Sequence, residues 1–314
     1  MNLPIMEKTE YSRLLLISLL TAFALLFVQC DVIGEQDSET IPNREFEISK
    51  MIKVSNGDIP IVISAPHGGT LTPNEIPNRS CSGIVTVRDR NTTELADEIK
   101  YQMKQDYGVE PYVISALIHR RKIDLNRDVG LATCGHSLAM EVWQEYHKKI
   151  EEALRSAVDE YGSAIFIDLH GHGHTVQRLE LGYLLRNEEL RESYGGLGEA
   201  HELAEKSSLS NLISANPELE FQDLLTGERA FGTIMENEGI RSVPSMQDPF
   251  PYPGEAFFNG GYNTRRYTSD DYPLVFGWQI EANFNGVRDS DENRNAFAKA
   301  FSKAIMIQLE EYVF

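Results

Sequence analysis

Ala164-Ile165-Phe166-Ile167-Asp168-Leu169-His170-Gly171-His172-Gly173-His174 is the stretch on which the fold of this chain turns. Residues 164–169 form a short apolar run, broken by one carboxylate and bounded by turn residues. Such a run is expected to be a strand buried on both faces of a sheet. Three histidines interleaved with glycines follow at once, and packing alone is a poor reason to place them there. A His–Gly tract can also be a surface metal scavenger, but its position at a strand end favours a buried site. Imidazole is the commonest metal ligand near neutral pH, and Asp168 is placed to orient His170 through its second ring nitrogen. His172 and His174 either contact substrate or face solvent.

Outward from that strand, the pattern alternates between helix and strand. Residues 138–161 repeat Val142, Tyr146, Ile150 and Leu154 on one helical face and stop at Gly162. Residues 92–107 repeat Leu95, Ile99 and Met103 and stop at Gly108. Strands are expected at 112–118 and 275–284, and a closing helix at 294–312. Residues 51–54 and 59–64 read as two strands of a hairpin, with Asn56-Gly57 supplying the positive φ of its turn. Residues 187–262, rich in Glu, Gly, Pro and Asn, are expected to hold short helices and long loops. Strands alternating with helices predict an α/β sheet with helices on its faces.

The chain has 314 residues, with 29 Lys plus Arg against 48 Asp plus Glu, a formal net charge of -19. A field of that sign repels polyphosphate, which argues against a nucleic-acid partner. Residues 14–28 are apolar behind Lys8 and Arg13. That run is shorter than the ~20 residues of a comfortable membrane span but suits an export signal. It ends at Val28-Gln29-Cys30, resembling a bacterial lipoprotein signal in which Cys30 carries the lipid. The alternatives are a secreted chain or an uncleaved anchor. Residues 1–30 are thus expected to be an export segment, 31–43 a polar tether, and 44–314 a single domain, with any membrane contact through the N-terminal segment alone. Cys81 and Cys134 are expected either to pair in an oxidising compartment or to remain free. Oligomeric state is left open.

Three more polar clusters sit near expected strand ends, where open α/β sheets place their sites. They are Ser64-Ala65-Pro66-His67-Gly68-Gly69, Arg120 to Arg127, and Gly260 to Arg265 with Trp278-Gln279-Ile280-Glu281. A lone histidine such as His67 is more often structural, and an arginine-rich loop is more often a solvated surface. Glu281 interrupts an apolar strand, which is unfavourable unless the carboxylate is paired or used.

S-A-P-H-G-G, R-D-R-N-T-T-E-L-A, I-D-L-N-R, I-D-L-H-G, G-G-Y-N-T-R and W-Q-I-E occur here in an order that resembles the N-formylglutamate amidohydrolases. The resemblance spans residues 59–285. It implies a zinc carboxypeptidase-like fold, a mixed and mostly parallel sheet sandwiched by helices, with one catalytic zinc per chain. It implies His67 and His170 as zinc ligands. The wider superfamily often takes its acidic ligand three residues after the first histidine, a position held here by Thr70. Asp89 in the R-D-R-N-T-T motif therefore fills that role, with Glu94 as the fallback. Asn126 and Arg127 are implied to grip a small substrate's carboxylate, with Arg121 or Arg265 adding a second guanidinium, and Glu281 to be the general base and acid. The activity implied is hydrolysis of the amide of an N-acyl amino acid. Carboxypeptidase-like activity and an inactive tethered binding protein are the alternatives.

Overall fold

The structure, a computed structural model, describes residues 48–195 and 200–314. Within them the strands are β1 (Ile52–Ser55), β2 (Ile61–Ala65), β3 (Tyr112–Ala116), β4 (Ala164–His172), β5 (Leu179–Gly182), β6 (Ser242–Val243) and β7 (Val275–Asn283). They make one sheet in the order β1-β3-β2-β4-β7-β5-β6. β2, β3, β4 and β7 run parallel, as do β5 and β6, while β1 joins β3 and β5 joins β7 antiparallel. This is the mixed, mostly parallel sheet expected. β4 lies at its centre and is buried on both faces, as its unbroken apolar run requires. It also runs past Leu169 to His172, because β7 continues to pair with it as far as Asn283.

Helices cover both faces. The helices are α1 (Thr92–Tyr107), α2 (Val129–Thr133), α3 (Ser137–Tyr161), α4 (Asn187–Gly195), α5 (Ala200–Lys206), α6 (Ser210–Ala215), α7 (Phe221–Thr226), α8 (Phe231–Asn237), α9 (Tyr262–Tyr267) and α10 (Asp291–Tyr312). Leu95, Ile99 and Met103 of α1 and Phe297 and Phe301 of α10 pack with Ile63 and Ile167 on one face. Val142, Tyr146 and Ile150 of α3 pack with Val62 and Phe166 on the other. Each such side chain contributes about 1.5–3 kcal/mol of burial, so the stripes that predicted the helices also fix which way they face. α1 and α3 end at Gly108 (φ 73°) and Gly162 (φ 86°), where a left-handed residue closes the last turn.

The expected hairpin does not form. β1 and β2 do not pair; both lie against β3, one on each side. Gly57 is not at positive φ. A Cβ there would sit 2.4 Å from the Tyr112 backbone nitrogen, so the glycine serves a close backbone approach instead. Asp58 N–H then donates to the Glu110 carbonyl at 2.8 Å, and the chain passes the start of β3 from one side to the other.

Side-chain alternation sorts the central strands. Ser64, Asp168 and Gln279 fall in register across β2, β4 and β7, and His170, Glu281 and Glu180 make the next row across β4, β7 and β5. Below these rows the same face is apolar. Its polar chemistry is gathered at the carboxyl ends of the parallel strands.

Cys81 and Cys134 are joined as a disulfide with a Cα–Cα distance of 5.6 Å. The bridge ties the long segment between β2 and α1 to the end of α2. Its loop closure predicts a stability loss of about 2–4 kcal/mol in a Cys81→Ser/Cys134→Ser variant, read as a lowered urea midpoint. An unchanged midpoint would show that the two ends are held equally well without the bond. Among the described residues no helix is long and apolar enough to cross a membrane. The expected export segment, the tether and Cys30 lie outside the described residues.

Candidate metal centre

His67 lies two residues beyond the end of β2, His170 within β4, and Asp89 on the loop that leads into α1. The structure brings one ligand atom of each within 4.8 Å of the others, and all three residues are buried. Asp89 Oδ2 lies 3.3 Å from His67 Nδ1 and 3.1 Å from His170 Nδ1. The opposite ring nitrogens each face a carboxylate. His67 Nε2 is 2.6 Å from Asp124 Oδ1, and His170 Nε2 is 2.9 Å from Asp168 Oδ2. Asp168 is itself held by the Ser64 hydroxyl at 2.9 Å, and Asp124 by Arg120 Nε at 2.9 Å.

This arrangement fits a dication. A neutral imidazole that donates Nε2–H to a carboxylate leaves its Nδ1 lone pair unprotonated. Two such lone pairs here converge on one carboxylate oxygen, which is repulsive unless positive charge lies between them. Bonds of about 2.0–2.1 Å in a tetrahedron place ligand atoms about 3.3 Å apart, close to the two separations found. Carboxylates behind both histidines are the usual means of fixing ring orientation at a metal. Burial works against the charge on Asp89, but without a metal the positive charge of the adjoining histidine rings, which a bound dication would replace, outweighs it and holds the carboxyl well below its ordinary range. Asp89 is thus available as an anionic donor. Glu94, the fallback, is not among the converging residues.

Glu281 lines the same cavity, about 190 Å³ in volume, beside His67, Asp89, His170 and Arg127. Burial pushes its carboxyl up to about 8; Asp89 and Glu180 add to the effect and His170 opposes it. Gln279 Nε2 donates to its Oε1 at 2.9 Å. Arg127 also lines the cavity, donates to the Asn126 carbonyl at 2.8 Å, and has no carboxylate ion-pair partner among the described residues. Asn126 is less free than its motif implies: its Oδ1 accepts from Asn263 N–H at 2.8 Å. Arg121 and Arg265 are exposed and do not line the cavity. Arg120 occupies the position in the wall that Arg121 was expected to take.

His172, His174 and Glu180 form a second cluster. His172 already uses both nitrogens, Nε2 with the Arg178 carbonyl at 2.8 Å and Nδ1 with His174 N–H at 3.1 Å. That leaves no free pair for a metal. His174 instead binds Glu180 at 2.8 Å and stacks on Phe258.

Three residues were missed by sequence reasoning. Asp124 sits in I-D-L between two buried apolar residues, and a carboxylate in that setting is a readable signal for a partner. Arg288 and Phe258 carry no local signal; their neighbours come from distant segments.

No protein-family model matches this chain, and no curated protein matches it. Among solved structures it is similar to N-formylglutamate amidohydrolase from Ralstonia eutropha JMP134, with TM-score 0.48 and 14% identity over 83% of this chain and 97% of that one. It is similar to gene product Atu2144 from Agrobacterium tumefaciens, with TM-score 0.47 and 10% identity over 85% and 97%. The N-acetylmuramyl-L-alanine amidase Ami1 from Mycobacterium smegmatis gives TM-score 0.37 and 14% identity over 82% and 100%. The superpositions are loose and the identities low, so function has to be argued from the side chains of the site.

Proposed function

We propose that this chain is a zinc-dependent amidohydrolase acting on the amide of an N-acyl amino acid or a similar carboxylate-bearing small molecule. The observation that carries the reading is the convergence of His67 Nδ1, His170 Nδ1 and Asp89 Oδ2, with a carboxylate behind each histidine. Three protein ligands are the number that a catalytic zinc uses. When bound, zinc supplies Lewis-acid activation of water and of the amide carbonyl.

The chain's own residues supply the rest. Glu281, buried beside His170 where a bound dication would favour its ionised form, can take a proton from water and return it to the departing amine. Arg127, its guanidinium unpaired with any carboxylate among the described residues, offers a fork for the substrate's carboxylate and so fixes the amide against the metal. Asn126 supports this end by holding the Gly261–Asn263 turn. Export with a lipid on Cys30 is part of the proposal, supported by the 1–30 pattern and by a disulfide that suits an oxidising compartment.

The test is metal content and hydrolysis on the purified protein. About one zinc per chain is expected, with amide hydrolysis abolished by chelation and restored by zinc. Absence of bound zinc, with no activity on its addition, would leave the tethered binding role. Release of carboxy-terminal residues from peptides would shift the reading to a carboxypeptidase.

A further inference from the structure

Two large apolar side chains line the otherwise polar cavity and stay about half exposed: Phe258 at 45% and Val85 at 44%. Scattered surface hydrophobics are ordinary in any protein. These two differ because they share one cavity and because buried charge fixes each from behind. Glu180 accepts from Phe258 N–H at 2.8 Å through Oε2 and binds His174 Nδ1 at 2.8 Å through Oε1. His174 then stacks on the Phe258 ring, with centroids 4.6 Å apart and planes 22° from parallel. The loop that carries Phe258 is pinned twice more, by fully buried Arg178 to Asp248 at 2.8 Å and to Glu255 at 2.6 Å. On the other wall, buried Arg79 donates to the Val85 carbonyl and to those of Arg120 and Leu131. Desolvating such ions is costly, and here their common effect is to hold two apolar surfaces still in front of the metal ligands.

We infer that Phe258 and Val85 form an apolar subsite, and that the substrate carries an apolar substituent larger than a formyl hydrogen, either on its acyl group or as its amino-acid side chain. This rests on the amidohydrolase reading and names the substrate class within it. The substituent lies against the open face of the Phe258 ring while the substrate's carboxylate is met by Arg127. An aromatic wall fixed before binding loses little entropy when the ligand arrives, so its contact area converts efficiently into affinity.

The experiment compares N-formyl-L-glutamate, N-formyl-L-phenylalanine and N-octanoyl-L-glutamate on the full-length zinc-loaded protein and its Phe258→Ala variant. At least one apolar substrate is expected to exceed N-formyl-L-glutamate tenfold or more in kcat/KM, carried by KM; which one does so tells whether the subsite takes the side chain or the acyl group. Phe258→Ala should reduce that ratio by roughly 10- to 100-fold, as loss of one buried aromatic surface implies, and Phe258→Leu should keep much of it. Equal kcat/KM for all three compounds, or a ratio that Phe258→Ala leaves unchanged, overturns the subsite. If no compound is hydrolysed the amidohydrolase reading fails, and the dissociation constants of the same three compounds decide. Tighter binding of an apolar one, lost in Phe258→Ala, upholds the subsite; equal or absent binding overturns it.

Discussion

Glu281→Gln should lower kcat by about a hundred- to ten-thousand-fold while leaving zinc content unchanged. Glutamine keeps the size of the side chain and an oxygen able to accept from Gln279 Nε2, which now donates at 2.9 Å. What it removes is the group that can take and return a proton. Glu281 is not one of the three converging ligands, so metal should remain. A tenfold loss or less would show that another group moves the proton. The metal-free protein gives a second readout. Its Glu281 carboxyl holds a proton up to about 8, against 4.5 for an unshifted one. Between those values the folded state binds the extra proton, so the stability that protonation contributes declines as pH rises from about 5 through 8. Glu281→Gln should flatten that slope and be the more stable form at pH 9. If wild type and variant lose stability in parallel, burial does not hold a proton on Glu281 at neutral pH in the metal-free protein.

The parts of this fold that were legible are those set by short-range periodicity. The α1 stripe at Leu95, Ile99 and Met103 and the α3 stripe at Val142, Tyr146 and Ile150 each face the sheet as their spacing requires. Strand pairing was not legible, because partner choice depends on which segment lies alongside and not on local pattern. Asn56-Gly57 illustrates this: a dipeptide that favours a hairpin turn instead marks a close backbone crossing at Tyr112. Register, once pairing is known, explains the site. A shift of one residue in β4 against β7 would turn His170 and Glu281 to opposite faces.

Within the site, residues at strand ends were nameable and those that hold them were not. His170 and Glu281 follow or interrupt apolar strands, and that conflict is a local signal, whereas His67 and Asp89 were named only through the resemblance. Arg79 and Phe258 act across chain separations that no local pattern encodes; Arg79 and Leu131 meet at 3.1 Å across α1 and β3. In the arginine-rich loop Arg121 is exposed, while Arg120 turns in to reach Asp124 at 2.9 Å and to approach Asp89 at 3.8 Å.

Replacing Arg288 by methionine should weaken zinc binding by about 10- to 100-fold, although Arg288 touches no ligand's donor atom. Its buried guanidinium donates to the Ala282 carbonyl at 2.9 Å, to the His172 carbonyl at 2.9 Å and to the Arg90 carbonyl. Those carbonyls belong to the three segments that carry Glu281, His170 and Asp89. One side chain therefore sets the mutual position of the proposed acidic ligand, a proposed histidine ligand and the proposed proton carrier. Gly171 exists where it does for the same reason, since a Cβ there would lie 2.2 Å from Arg288 Cζ. Methionine fills much of the volume but removes the donor from two buried carbonyls, those of Ala282 and His172, each worth about 1–3 kcal/mol, so the melting temperature should fall as well. Stability and positioning separate in the comparison with Gly171→Ala, which displaces the guanidinium without removing it. If Arg288 positions the site, both variants bind zinc more weakly at temperatures far below their melting points. If it only stabilises the fold, melting temperatures fall while zinc affinity in the folded protein stays at the wild-type value. The three-way bridge favours the first outcome, because a purely stabilising arginine has no need to meet the ends of both site strands and the ligand loop at once.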